Sequence, residues 1–166
     1  MKNFFLTWSV DHTMVQTVSD ALQNEWNISF YLDSSGWNSS AAQAIIEMIN
    51  AEKDRITLYA NNVILSNAFI IFFYSECKRK VLPWCVWMAH MARIDTSMSG
   101  KMRIQTTPKV QMEFMMNEAK KQAKFFRRLG AHKKSCKSFL NEYDIYFPEK
   151  HLKKFLKKHE KMISKK

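Results

Sequence analysis

The sequence predicts an α/β fold, one domain over residues 1–166 built from stacked βαβ units. Three observations carry this. Short apolar runs of strand type alternate with segments whose apolar residues recur every three or four positions, which is the order of parallel βαβ units. The chain of 166 residues is 46% hydrophobic and 13% aromatic, ample for a core in one domain. It holds only three Gly and three Pro, with no linker-like stretch, internal repeat or low-complexity block.

The elements follow in order. Phe4-Phe5-Leu6-Thr7-Trp8 is a first strand, ended by Asp11. From His12 to Glu25, Met14, Val15, Val18, Ala21 and Leu22 keep helical spacing. Ile28 to Leu32 is a second strand, broken at Asp33-Ser34-Ser35-Gly36, a turn composition that also offers a helix N-cap. Ala41 to Ala51 is a helix with Ala44, Ile45, Met48 and Ile49 on one face, and Ile56 to Ala60 a third strand. Asn61 to Phe73 runs from strand through a polar turn into Ala68-Phe69-Ile70-Ile71-Phe72-Phe73, apolar on all sides and therefore buried. After the charged Lys78-Arg79-Lys80, Val81-Leu82 and Val86 to Ala89 are strand pieces around Pro83 that share one sheet with the second and third strands. Val110 to Leu129, closed by Gly130, is a long Met-rich helix. A last helix, Glu149 to Lys166, docks through Leu152, Phe155, Leu156, Met162 and Ile163, with its lysines in water.

Net charge is +11, but its placement argues against nucleic acid as the main partner. Positions 150–166 hold eight Lys and one Glu, so residues 1–149 carry 18 basic and 14 acidic side chains. A basic tail of this kind is ordinarily a solvated helix face. Cys77, Cys85 and Cys136 lack the paired spacing of zinc or redox motifs and read as buried thiols in a reducing compartment. The first residues turn polar at Asp11-His12 too early for a signal peptide, and the longest apolar run, Ala68 to Phe73, is too short to span a bilayer. The expectation is a cytoplasmic protein. No metal-ligand spacing and no Gly-rich phosphate loop is present, so neither metal nor cofactor is expected; His12, His132, His151 and His159 sit among polar residues, as surface groups do.

Three strings, in order, resemble the proteolytic subunit of the Clp protease and its wider relatives, signal peptide peptidase A and the crotonases. Phe30-Tyr31-Leu32-Asp33-Ser34-Ser35-Gly36 is similar to the family's strand followed by Asn-Ser-Pro-Gly-Gly. Lys78-Arg79-Lys80-Val81-Leu82-Pro83-Trp84-Cys85-Val86-Trp87-Met88-Ala89-His90 is similar to Lys-Arg-x-x-Leu-Pro-Asn-Ser-x-x-Met-Ile-His, the most specific of the three. Tyr143-Asp144-Ile145-Tyr146-Phe147-Pro148 resembles the Arg-Asp-x-x-Leu-Ser segment that carries the third triad residue. The resemblance implies a ClpP/crotonase-like fold with the long helix as a handle, and serine-type peptide hydrolysis. It further implies Ser66 as nucleophile, His90 as base and Asp144 as orienter, with backbone N–H groups of Gly36 and Asn67 as oxyanion donors. Its partners would be peptide or unfolded protein as substrate, copies of itself in a ring-like homo-oligomer, and an AAA+ unfoldase.

Chemistry explains why these types are needed together. A serine attacks an amide only when a base removes its proton, a carboxylate fixes the base's tautomer, and N–H groups meet the developing oxyanion. Counting forward from Gly36 and Lys53 puts the nucleophile on Ser66; counting back from Leu82-Pro83 and His90 puts it on Leu65. A one-residue deletion in an exposed loop near Glu76-Cys77-Lys78 reconciles the two, whereas one inside the elbow would rotate the helix start by about 100°. Ser66 is therefore the candidate, and Ser66-Asn67-Ala68-Phe69 resembles the Ser-Gly-Gly-Tyr of signal peptide peptidase A. Departures are the large Val63, Ile64 and Leu65 before the serine and Trp37 in place of a second Gly. Each residue alone has an ordinary structural use: Ser66 as a helix N-cap, His90 in a core, Asp144 at a turn. The competing reading is a non-catalytic or regulatory relative with a degenerate elbow. The Met-rich helix and the 12 Phe, five Trp and five Tyr point to self-association in either case.

Overall fold

The computed structural model describes residues 1–90, 108–129, 131, 133–140, 145–146 and 156–157. The chain divides into two compact units, Met1–Ala89 with Tyr146–Lys166, and His90–Ile145.

The first unit alternates strand and helix: β1 (Lys2–Val10), α1 (His12–Leu22), β2 (Ile28–Trp37), α2 (Ser39–Ala51), β3 (Ile56–Leu65), α3 (Asn67–Tyr74), β4 (Lys78–Val81) and β5 (Val86–Ala89). The sheet order is β1-β2-β3-β5-β6, where β6 is Ile145–Tyr146, and β4 also pairs β3. Pairings among β1 to β5 are parallel, with Lys2 opposite Ile28, Ile28 opposite Ile56, Thr57 opposite Lys78 and Val63 opposite Val86. The expected second and third strands and the strands around Val81–Ala89 thus share one sheet.

Local chemistry sets the helix starts. The Asp11 carboxylate accepts the N–H groups of Thr13 (2.9 Å) and Met14 (3.1 Å) ahead of α1, and Asn38 Oδ1 accepts from Ala41 (2.9 Å) ahead of α2. At the other end of α1, the Arg55 guanidinium donates to the carbonyl of Leu22 (2.7 Å), which the helix leaves open, and to those of Asn24 (2.6 Å) and Trp26 (3.0 Å) in the loop that follows. Alternate residues of the strands, Leu6, Phe30, Leu32, Leu58 and Ile64 among them, are fully buried, as are Val18, Ile45, Ile49, Phe69 and Phe72 of the helices. Helices α1, α2 and α3 pack side by side on that face. Trp87 of β5 lies edge-on to Phe69 and Phe72, 6.1 and 5.0 Å between ring centroids.

On the opposite face, Phe5, Tyr31 and Tyr59 occupy one line of the register and stack at 5.2 and 4.6 Å. Lys80 of β4 ends the row, its Nζ 5.3 Å from the Tyr59 ring.

Strand β1 extends from the expected Phe4–Trp8 to Lys2–Val10, and two other strands run on through residues of turn composition. Asp33-Ser34-Ser35-Gly36 is not a turn but part of β2, because Ser34, buried between strands, donates its hydroxyl to the Trp8 carbonyl and keeps the segment extended. Asn61-Asn62 is likewise inside β3. There the register slips from Leu32 opposite Ala60 to Ser34 opposite Ile64, a bulge with Asn62 at φ 51°, which Asn tolerates. The Asp33 carboxylate accepts the Val63 N–H (3.1 Å) and holds that bulge. Past it, β3 exchanges β4 for β5 as its partner. Lys78-Arg79-Lys80 is not a charged separator but strand β4, with Arg79 buried over the Phe72 ring.

In the second unit, α4 (Pro108–Leu129) starts two residues ahead of the expected long helix, and α5 (Lys133–Leu140) was not foreseen. They are joined through Ala131, whose N–H donates to Phe126 O (2.9 Å) and whose carbonyl accepts from Arg127 (2.8 Å). Ala119, Ala123, Phe126 and Cys136 are buried. Gly130, His132, His151, His159 and all of the expected C-terminal helix except the helical Leu156 and Lys157 lie outside the described residues. His12 is exposed and the three cysteines are buried, as expected.

Candidate functional site

Leu65 is the last residue of β3, and Asn67 the first of α3, so Ser66 alone makes the change from strand to helix. It does so at φ 54°, ψ −122°, a region that side chains other than glycine's seldom occupy and that costs about 1–3 kcal/mol. Three contacts hold it there. The Ser66 N–H donates to Met88 O (2.9 Å) on β5, its carbonyl accepts from Ile70 (3.3 Å), and Gly36 presses against the turn. The Ser66 hydroxyl makes no capping bond to α3, so it is not spent as the ordinary N-cap that its sequence position allows.

Gly36 belongs to the same corner. A Cβ on it would lie 2.7 Å from Asn67 N, 2.7 Å from Ser66 Cβ and 2.8 Å from Leu65 O, and its φ is 93°. Only glycine satisfies both the left-handed φ and the close approach. Its N–H donates to the Ser34 hydroxyl (3.1 Å), which faces into the sheet. Asn67 Nδ2 donates to Trp37 O (2.7 Å) and Ser39 Oγ (3.2 Å), tying the β2–α2 corner to the elbow. The Asn67 backbone N–H is the first of α3 and has no carbonyl one turn back. Of the two proposed oxyanion donors, Asn67 therefore presents an N–H at a helix start, while the Gly36 N–H is engaged internally.

Met88 stands opposite Leu65 in the β3–β5 register, Ala89 closes β5, and the half-buried His90 follows as the first residue of the second unit. Asp144 lies outside the described residues. The link between α3 and β4 is not an exposed loop. Ser75 and Cys77 are buried, and Asn50 fixes it by accepting the Glu76 N–H (2.6 Å) and donating to Tyr74 O (3.2 Å). Burial pushes the Cys77 thiol up to about 11, against the smaller opposing pull of Arg79. Cys136 is raised for the same reason, with Arg127 opposing. Among the described residues no three His, Cys, Asp or Glu side chains are grouped to hold a metal ion, and no helix is long and apolar enough to cross a membrane.

The elbow's left-handed serine, the Gly36 contact and the Asn67 clamp were not readable from composition; only the order of Gly36, Ser66 and His90 hinted at them. Neither a protein-family model nor a curated protein matches the sequence. Solved structures do. The chain is similar to ClpP1 from Listeria monocytogenes, with a TM-score of 0.65, 14% identity, and 92% of this chain and 86% of that one covered. It is similar to a point mutant of that protein with a TM-score of 0.64, 15% identity and the same coverage. The chain has a ClpP-like fold.

Proposed function

We propose that this chain is a serine-type peptidase of the Clp proteolytic-subunit kind. In this reading the Ser66 oxygen attacks the peptide carbonyl while His90 takes its proton, and His90 returns that proton to the leaving amine. Asp144 holds the imidazole, and the Gly36 and Asn67 N–H groups receive the oxyanion. The observation that carries the reading is Ser66 at a strained strand-to-helix corner, with its hydroxyl free of capping duty. Self-association into a ring-like homo-oligomer is part of the proposal. Trp8, Trp37 and Trp84 are 85%, 75% and 86% exposed, a large apolar area for a lone small protein.

Labelling with a fluorophosphonate or β-lactone probe tests it, because these report an activated serine. Labelling of the wild type, its loss in Ser66→Ala and His90→Ala, and parallel loss of peptide hydrolysis are expected. A second reading, a non-catalytic relative, has its own support: the Gly36 N–H is donated to Ser34 Oγ, so the oxyanion site needs that peptide to turn. Absence of labelling in the assembled protein would establish that second reading.

A further inference from the structure

Charge along the chain is less even than a count over residues 1–149 suggests. Ala119 to Leu140 contains eight Lys and Arg and no acid, while the rest of that span holds ten basic and fourteen acidic residues. Helices α4 and α5 fold this stretch back on itself around a groove of ≈ 590 Å³. Lys120, Lys124, Arg127, Arg128, Lys133 and Lys137 line it, all exposed, and among the described residues none of the six is in an ion pair. Ala123, Cys136 and Leu140 supply an apolar floor.

Like charges one turn apart on a helix repel, and six around one groove raise its potential well above that of scattered surface lysines. Such an arrangement is relieved by a dense anion. Lys120, Lys124 and Arg128 succeed one another at four-residue steps, about 6 Å along the α4 axis. An unstacked phosphodiester strand can follow that period, and a base can rest on the apolar floor. The groove has the volume of a small-ligand pocket, too small to admit a duplex. We infer that the α4–α5 groove binds the backbone of single-stranded nucleic acid.

The full-length protein is titrated into a fluorescein-labelled oligouridine of about 20 nucleotides, and anisotropy is read between about 50 and 200 mM salt. With about four phosphates neutralised, affinity should fall ~50-fold over that range. Lys124→Gln/Arg128→Gln/Lys133→Gln should weaken binding and flatten the log–log salt slope by about two. Replacing Lys153, Lys154, Lys157 and Lys158 of the C-terminal segment with Gln should leave that slope unchanged. Polyglutamate of equal charge should fail to displace the strand. The inference is overturned by no binding at the lowest salt, by loss of binding in the C-terminal variant with the groove variant intact, or by equal displacement with polyglutamate, which would assign the groove to acidic peptides. Circular dichroism of each variant, whose altered groove residues are exposed, checks that folding is kept.

Discussion

Phe30 and Tyr31 are neighbours in β2 and face opposite sides of the sheet. Phe30 is fully buried against the helix-covered face, where α1, α2 and α3 exclude water. Tyr31 stands in the row from Phe5 to Lys80, with Phe5 63% exposed at its end. Parallel sheets ordinarily bury both faces under helices. On this second face, among the described residues, rings aligned by the register stack on one another, each pair contributing about 0.5–1.5 kcal/mol. One face is held by bulk burial and the other by cross-strand stacking.

The widest gap should come from the two neighbours themselves. Phe30→Ala is expected to destabilise by about 3–5 kcal/mol in urea melts, and Tyr31→Ala by roughly a third of that. Equal losses would break the contrast. Cys77, buried just ahead of β4, should give the next effect. Its thiol is raised from 9.0 to about 11, so the folded state holds the proton longer than the unfolded one. Its contribution is complete below pH 9 and lost as pH rises to 11, about 2–3 kcal/mol at most. Melts of wild type and Cys77→Ala compared from pH 8 to 11 should show that extra slope in the wild type alone. At the corner of β2, Gly36→Ala should cost about 1–3 kcal/mol and also lower serine-probe labelling, since its Cβ would strike the elbow backbone. The smallest change sharpens the stacked face: Lys80→Ala should cost about 0.5 kcal/mol through the lost contact with Tyr59, measurable as a shift in urea midpoint.

An apolar run made β1 legible, and helical periodicity made α1, α2 and α4 so, because their apolar residues recur every three or four positions. The extensions of β2 and β3 were hidden by polar residues that look like turn formers. Ser34 and Asp33 find partners in Trp8 and Val63, residues distant in sequence, and those partners keep them extended. Helix α5 is hard to read from sequence because it is only eight residues long and Lys133, Lys134, Ser135, Lys137 and Ser138 leave Cys136, Phe139 and Leu140 as its few apolar residues. At the site, the order of Gly36, Ser66 and His90 was visible. The inward Gly36 N–H was not, since no residue type encodes the direction of a peptide plane.

The parallel ladder also governs how the chain is made. Lys2 waits for Ile28, Ile28 for Ile56 and Thr57 for Lys78, so each of these pairings spans more than twenty residues. Loops must close before such contacts repay their entropy, which places folding toward the slow, millisecond-to-second range. Arg55 reaches back to Leu22, Asn24 and Trp26, and can lock the first crossover only once the chain has grown to the residue before β3. During synthesis, β1 is therefore an unpaired edge with an aromatic side chain on display, and crowded nascent chains are most exposed to mispairing in that interval.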